Sequence, residues 1–448
     1  MWPEAARIGI WGLGREGRSA AQFFARDKGR AITLLTDNAE EPRPDWAPNA
    51  GFLAGDHARA AIAEGRFDLI VKSPGISTNR PEIQAARQQG SRLTSCTNLW
   101  FEHYQPGNVI AVTGTKGKST TSAMLYHMLL AFGLDTKLLG NGGTPTLDEA
   151  PGKDFTVLEM SSYQAADLMH APSMAVLTNL YPEHTPWHGS REAYYQDKLR
   201  LVSLDPSIPV IANAQDEQLR IRLGERPNVV WYNSPGNFLA LEAGLTFNGR
   251  PMRVDGTLPP GAHNLSNLAA AAAAVRQLGL FKEAHSISLG CFAPLPHRLQ
   301  EFALPGGIVG VDDSISTIPE ATQAAMMTYA RHPLHVILGG TERGQEYEPL
   351  ARFLRDHPPR GVYLLPETGN RIATALAQAG CDFPVQSHDK LESAVEAIYA
   401  GAKTGDFILL SPAAPSFGQY GNFAERGDHF RQLCELVFAR PPAGAARG

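Results

Sequence analysis

Cysteine is scarce in this chain: four among 448 residues, Cys96, Cys291, Cys381 and Cys434, with no C-x-x-C pair. That excludes a disulfide framework and a zinc ribbon, and predicts buried, reduced thiols. Long apolar runs are missing too. None approaches the roughly 18 residues of a membrane span, and the chain opens on a polar segment leading into a strand, so a cytoplasmic protein without membrane insertion is expected. No basic block occurs: 40 Lys and Arg stand against 45 Asp and Glu, a net charge of −5. This argues against nucleic acid as a partner and for a small molecule.

What is abundant is glycine at turns between apolar strands and helices. Ala111-Val112-Thr113-Gly114-Thr115-Lys116-Gly117-Lys118-Ser119-Thr120-Thr121 reads as strand, Gly-rich turn and helix start, a phosphate cradle. In such a loop Lys118 reaches the terminal phosphates and the Ser119 hydroxyl sits on Mg²⁺, which implies ATP. A full P-loop pattern wants glycine five residues before Gly117, where Val112 stands. The competing reading is an ordinary strand-to-helix turn. The flanking buried strand and the helix from Ser122 to Leu130 favour the nucleotide.

A second turn, Gly12-x-Gly14-x-x-Gly17, follows an N-terminal strand and opens a helix of small residues, the dinucleotide-binding fingerprint. Asp37 ends the next strand, where a ribose hydroxyl is often taken. NAD and a UDP-sugar fit the turn equally well. The strand from Phe67 stops at Ser73-Pro74-Gly75, with Gly75 facing the same ligand, and polar Glu102–Gly107 suggests the first domain boundary.

Further on, Leu139–Pro145 is a Gly-rich loop containing Asn141, and the buried strand from Phe155 ends on Glu159. A carboxylate there can hold Mg²⁺ or cap the following helix. Tyr181–Gly189 is a loop with His184 and His188: His184 suits a metal or phosphate as well as a structural role, and His188 is unassigned. Lys198 lies on a helix, where a solvated lysine is the ordinary reading. Asn264 and Asn267, three apart before an Ala-rich helix, can face one ligand or merely cap. The pattern breaks at Leu295–Leu299, and strands near Ile308, His335, Gly361 and Asp406 make a third domain. Strands alternate with helices throughout, so three parallel α/β sheets are expected: a Rossmann-like first domain (1–105), a central P-loop ATPase-like domain (106–297) and a Rossmann-like third domain (298–448). The tail beyond Arg440 is expected to fray.

Taken in order, Gly114–Thr120, Glu159-Met-Ser-Ser162, His184, Lys198, Gly261-x-His263-Asn264-x-x-Asn267, Pro296-His297-Arg298, Asp313-Ser314 and Leu410-Ser-Pro412 resemble the Mur ligases over essentially the whole chain. These are ATP-dependent amide ligases of peptidoglycan precursor synthesis, and the resemblance is nearest to the MurD type, which adds glutamate to UDP-N-acetylmuramoyl-L-alanine. It implies that the first domain binds the UDP moiety, the second ATP, and the third the incoming amino acid. ATP phosphorylates the alanyl carboxylate, and glutamate's amine attacks the acyl phosphate. Lys118, Glu159, His184 and Lys198 become catalytic. Ser119, Glu159, His184 and carbamylated Lys198 become ligands for two Mg²⁺ ions. Gly114, Thr115, Lys116, Gly117, Lys118, Ser119, Thr120, Asn264, Asn267, Arg298 and Asp313 surround ATP, and Gly14, Arg15, Glu16, Gly75 and Asn141 match the UDP-substrate positions. A monomer is expected.

The departures concern the amino acid. Asp313-Ser314 is followed by Ile315-Ser316-Thr317-Ile318, where D-glutamate-adding enzymes carry Lys-Ala-Thr-Asn, and Arg343 stands where a lysine is usual, a fork instead of a point charge. Thr317, Arg343, Ser416 and Phe423 are the expected glutamate contacts. With the opening Ile10-Trp11-Gly12-x-Gly14-Arg15-Glu16-Gly17, these changes resemble the subgroup that adds L-glutamate, whose product a downstream epimerase inverts. The alternatives are the same reaction with D-glutamate, a dehydrogenase that would leave Lys118, Glu159 and Lys198 idle, and an inactive binding module.

Overall fold

A computed structural model of the chain describes residues 6–26, 30–183, 185–281, 286–293 and 296–440. Residues 1–256 and 263–292 pack as one compact unit, and residues 257–262 and 293–448 as another. Expectations for His184 and the tail beyond Arg440 lie outside the described residues.

The first unit holds two parallel sheets. One consists of β1 (Ile8–Trp11), β2 (Ile32–Thr36), β3 (Gly51–Ala54), β4 (Leu69–Lys72) and β5 (Arg92–Thr94), in the order 3-2-1-4-5. The other has β6 (Val109–Thr113), β7 (Thr136–Gly140), β8 (Phe155–Glu159), β9 (Met174–Leu177), β10 (Val210–Asn213) and β11 (Val229–Tyr232), in the order 11-10-9-6-8-7. Strands buried on both faces read as unbroken apolar runs, as β4, β6 and β9 do. One core joins the sheets: Ile8, Ile10 and Phe24 belong to the same cluster as Trp100, Val109 and Leu158. The Glu102–Gly107 segment is partly helical, because the helix Cys96–Tyr104, capped by Ser95, carries Leu99 and Trp100 into that core.

Beyond β11 the expectation of parallel strands alone fails. β12 (Phe238–Leu241), β13 (Gly244–Phe247) and β14 (Arg250–Pro251) form an antiparallel ribbon. Asn248 and Gly249, both at positive φ, make its second turn. β15 (Arg253–Asp255) and β16 (Ser286–Ser288) pair in parallel.

In the second unit β17 (Gln300–Leu304), β18 (Ile308–Asp312), β19 (Leu334–Gly339), β20 (Gly361–Leu365), β21 (Val385–Ser387) and β22 (Phe407–Leu410) are ordered 17-18-22-19-20-21. Here too one expectation is corrected: β17 runs antiparallel to β18, since Gly306 and Gly307 at φ +80° and +72° turn the chain straight back. Core clusters cover both faces of this sheet. The cysteines are all unpaired, and Cys96 and Cys434 are buried as expected, whereas Cys291 is exposed and Cys381 half-buried.

Candidate active site

β6 lies inside its sheet between β8 and β9, and pairs Val112 with Glu159 on one side and Val176 on the other. Its loop therefore leaves the sheet beside two other strand ends. Gly114 adopts φ +150°, and a Cβ there would overlap the Thr178 hydroxyl; Gly117 adopts φ +82°, and a Cβ there would overlap the Asn267 amide. Gly117 is the N-cap of the helix Lys118–Ala131 and supplies no side-chain cap, so the helix presents its first-turn N–H groups to an anion. Lys118 folds back, Nζ donating to the carbonyls of Gly114 and Thr115 at 3.0 and 2.9 Å.

The loop is anchored by residues the sequence reading passed over. The Asn179 side chain accepts from Lys116 N at 2.8 Å and donates to Lys116 O at 3.1 Å, and the Thr178 hydroxyl donates to the same carbonyl at 2.6 Å. Glu183 draws the Lys116 ammonium to 2.7 Å. Thr120 follows in the helix's first turn and is buried.

Glu159 is buried at the end of β8, and its Oε1 accepts from the Ser119 hydroxyl and from the Asn141 amide, both at 3.0 Å. A Cβ on Gly142 would overlap Oε2, so a side chain there would displace the carboxylate. The capping reading falls away, because Ser161 and Gln164 cap the next helix, Ser162–Asp167, reciprocally. A hydroxyl and a carboxylate beside a phosphate loop are oxygen donors of the kind Mg²⁺ takes.

Lys198, on the helix Arg191–Ser203, is no solvated lysine. It is 2% exposed, donates to Gly114 O at 2.7 Å, and stands over the Tyr194 ring. Burial first, then the charge of Lys118, pushes its pKa well below the ordinary lysine value. Asn264 and Asn267 are buried on the first turns of the helix Ala262–Gln277. Asn267 donates to Asn264 at 3.2 Å and accepts from Thr121 at 3.3 Å, so both stand against the phosphate loop. His188, left unassigned, bridges Asp197 at 2.6 Å and Ser162 at 3.0 Å.

On the first sheet, Gly14 is the uncapped N-cap of the helix Arg15–Ala25, with open space where a Cβ would point, and Gly17 packs against Gly12 O. Arg15 donates to Gly143 O. Glu16 Oε1 accepts from Gln164 at 2.6 Å, its Oε2 is buried without a partner, and burial raises its pKa. Asp37, the candidate ribose ligand, is instead gripped by Arg80 at 2.6 and 3.1 Å.

In the second unit, Asp313 is buried, and desolvation lifts its pKa to about 6 against hydrogen bonds from Ser316 and Ser411 and the charge of Arg298. Ser416 lines a cavity of about 200 Å³ with Gly339, Gly340, Thr341, Phe417 and Arg426. Arg343 lies over the Phe417 ring at 5.1 Å. Thr317 and Phe423 are outside that lining. The carbonyl of Thr317 accepts from Gln345, and that of Phe423 from Ser314. Sequence reasoning missed Arg426, which is buried and donates to the carbonyls of Ser314, Ala414 and Pro415. An arginine in an amphipathic helix carries no signal of that role.

The Mur ligase middle domain matches residues 112–275, and the Mur ligase MurD-like N-terminal domain matches residues 6–95. A UDP-N-acetylmuramoyl-L-alanine–L-glutamate ligase of Xanthomonas oryzae pv. oryzae is 39% identical, over 96% of this chain and 95% of its own. One from a Micromonospora species is 34% identical over 97% of both. Among solved structures, MurF ligase from Thermotoga maritima in complex with ADP aligns with TM-score 0.60 at 19% identity, covering 97% of this chain and 96% of its own. UDP-N-acetylmuramate-alanine ligase MurC from Thermotoga maritima aligns with TM-score 0.61 at 19% identity, covering 95% and 98%. These two share the fold. Parallel α/β sheets with such a phosphate loop at a strand end are those of a Mur-type ligase. More particularly, the chain belongs to the MurD type of the Mur ligase family.

Proposed function

We propose that the chain is an ATP-dependent acid–amino-acid ligase that joins L-glutamate to UDP-N-acetylmuramoyl-L-alanine, releasing ADP and phosphate, in peptidoglycan precursor and hence cell-wall synthesis. The observation that carries it is the Gly114–Ser119 loop seated between the Glu159 carboxylate and the Lys198 amine. Residues 1–105 would hold the UDP moiety through Gly14, Arg15, Glu16 and Gly75, with Asn141 contributed by the central domain. Residues 106–297 would bind ATP, and residues 298–448 the amino acid.

Lys118 and the first-turn N–H groups are suited to neutralising charge on the transferring phosphoryl group, and Asn264 and Asn267 to fixing the loop beneath it. Ser119 and Glu159 would hold Mg²⁺, which when bound supplies charge neutralisation at the phosphates. A second ion would take Glu159, His184 and carbamylated Lys198. The depressed basicity of Lys198 supports that modification, since only a neutral amine adds CO₂. Arg298 and Asp313 would complete the nucleotide site.

L-glutamate is favoured by the altered clamp, with Ile315-Ser316-Thr317 after Asp313-Ser314 and Arg343 over Phe417. Exchanging amine, hydrogen and carboxylate about one centre demands such remodelling. Thr317, Arg343, Ser416 and Phe423 are the proposed contacts. A cytoplasmic monomer acting before a separate epimerase completes the reading. The test is phosphate release from ATP with UDP-N-acetylmuramoyl-L-alanine and either enantiomer. Turnover with L-glutamate alone is expected. Turnover with D-glutamate alone would refute the stereochemical assignment, and none with either would refute the acceptor or the amino acid.

A further inference from the structure

The turn after β4 is held from outside its own sheet. Lys72, the last residue of β4, is 2% exposed, and its Nζ donates to Asp167 Oδ2 at 2.6 Å and to Ile76 O at 2.8 Å. Asp167 closes the helix Ser162–Asp167 of the second sheet. Trp187 Nε1 donates to Gly75 O at 2.9 Å, and Ser77 Oγ donates to Trp187 O at 3.0 Å. The Lys72 ammonium stands 5.7 Å from the Trp187 ring centre. Segment 72–77 is thus tied at Lys72, Gly75 and Ser77 to residues more than ninety positions away.

A buried ion pair contributes little net stability, because desolvating both charges offsets their attraction. Its directional bonds do hold geometry, and here they add to the turn's own Ile76 N to Ser73 O bond and to the bonds Ser73 makes to Trp11 and Gly12. The other side of this turn is open: a Cβ on Gly75 would meet nothing within 4 Å. Glu16, on the neighbouring helix, feels the charges of both Lys72 and Asp167.

We propose that Trp187 and Lys72 are positioning residues for the UDP-linked acceptor, fixing the backbone of 73–76 so that the open face at Gly75 meets that substrate in one conformation. The proposal rests on the reading of Gly75 as part of the acceptor site. Neither residue needs to touch the acceptor. Trp187 acts through the Gly75 carbonyl, and Lys72 through the Ile76 carbonyl and Asp167.

Trp187→Phe keeps a ring and removes the N–H donor. The expected result is a roughly three- to tenfold rise in KM for UDP-N-acetylmuramoyl-L-alanine, the worth of one net hydrogen bond, with KM for ATP and for glutamate unchanged. Ser77→Ala, which cuts a different bond of the same strap, should move the same constant in the same direction. Gly75→Ala controls for the underlying reading, because its methyl group fills the open face directly. Wild-type acceptor KM in Gly75→Ala would overturn the assignment of Gly75. A raised value there beside an unchanged one in Trp187→Phe would overturn the positioning role alone. Equal rises for all three substrates would mean a merely structural residue and overturn it as well. Should thermal melting show Trp187→Phe to be poorly folded, Ser77→Ala decides in its place.

Discussion

Gly117→Ala isolates the phosphate loop from the rest of the catalytic apparatus. At φ +82° an L-residue costs about 1–2 kcal/mol. The added Cβ would also overlap the Asn267 amide, which must swing away from its bonds to Thr121 and Asn264, worth about 0.5–1.5 kcal/mol each. The total is about 3 kcal/mol, and if the loop escapes it by opening, that energy is charged against nucleotide binding, roughly a hundredfold in Kd. Gly133 is the matched control. It has φ +76° but no atom within 4 Å of a built Cβ, so Gly133→Ala carries the backbone cost alone, away from the loop. Isothermal titration with ADP and thermal melting of both variants separate the two effects. Weakened ADP binding in Gly117→Ala only is the expected outcome. Equal ADP affinity in Gly117→Ala and wild type, or equal weakening in both variants, would refute the argument.

Burial and Lys118 lower the pKa of Lys198, so its neutral form gains population as pH rises through that depressed value. Phosphate release in CO₂-depleted buffer should therefore fall on acidification and return with bicarbonate, and Lys198→Met should be inactive without rescue. Asp313 has its folded pKa raised from 3.8 to about 6. The folded state thus binds its proton more tightly than the unfolded chain, and the stability this contributes is complete below about pH 4 and lost as pH rises through 6, at most about 3 kcal/mol. Denaturant melts of wild type against Asp313→Asn across that window should show the difference in slope. Arg343→Lys keeps the charge but loses the planar fork lying on Phe417, and KM for glutamate should rise about tenfold with KM for ATP unchanged.

The strands legible in the sequence were those buried on both faces. Val109–Thr113, Met174–Leu177 and Gly361–Leu365 admit one reading because the sheet covers them above and below. Edge elements were not legible. β21 is Val-Gln-Ser and wholly exposed, and β12 to β14 are short strands of two to four residues on a ribbon half in water. The Asn248-Gly249 turn was the available sign of that ribbon, and Gly306-Gly307 of the β17–β18 hairpin. The C-terminal helix starts at Phe423, because the Asn422 side chain accepts from Glu425 N and sets its first turn.

The missing glycine at position 112 shows where local reading ends. Val112 is buried in β6, and the chain turns two residues later, at Gly114, where Lys118 Nζ bonds back to the Gly114 and Thr115 carbonyls. Asn179 anchors the loop from outside: its carbonyl accepts from Thr115 N at 2.9 Å, and its side chain both accepts from and donates to Lys116. Gly114 must be glycine because Thr178 occupies the space of a Cβ, and Gly117 because Asn267 does. The glycines were therefore readable as turn formers, whereas the residues that demand them stand more than sixty positions away, on strand ends and a helix turn that only the folded sheet brings near. Lys198 follows the same logic. It lies on the buried face of its helix with Tyr194, Leu201 and Val202, and it meets the Gly114 carbonyl, which is distant in sequence. A lysine so placed loses its solvation and, with it, the basicity that would keep it inert. The shortened loop and the altered lysine thus have one cause, the convergence of β6, β8 and β9 at a single sheet edge.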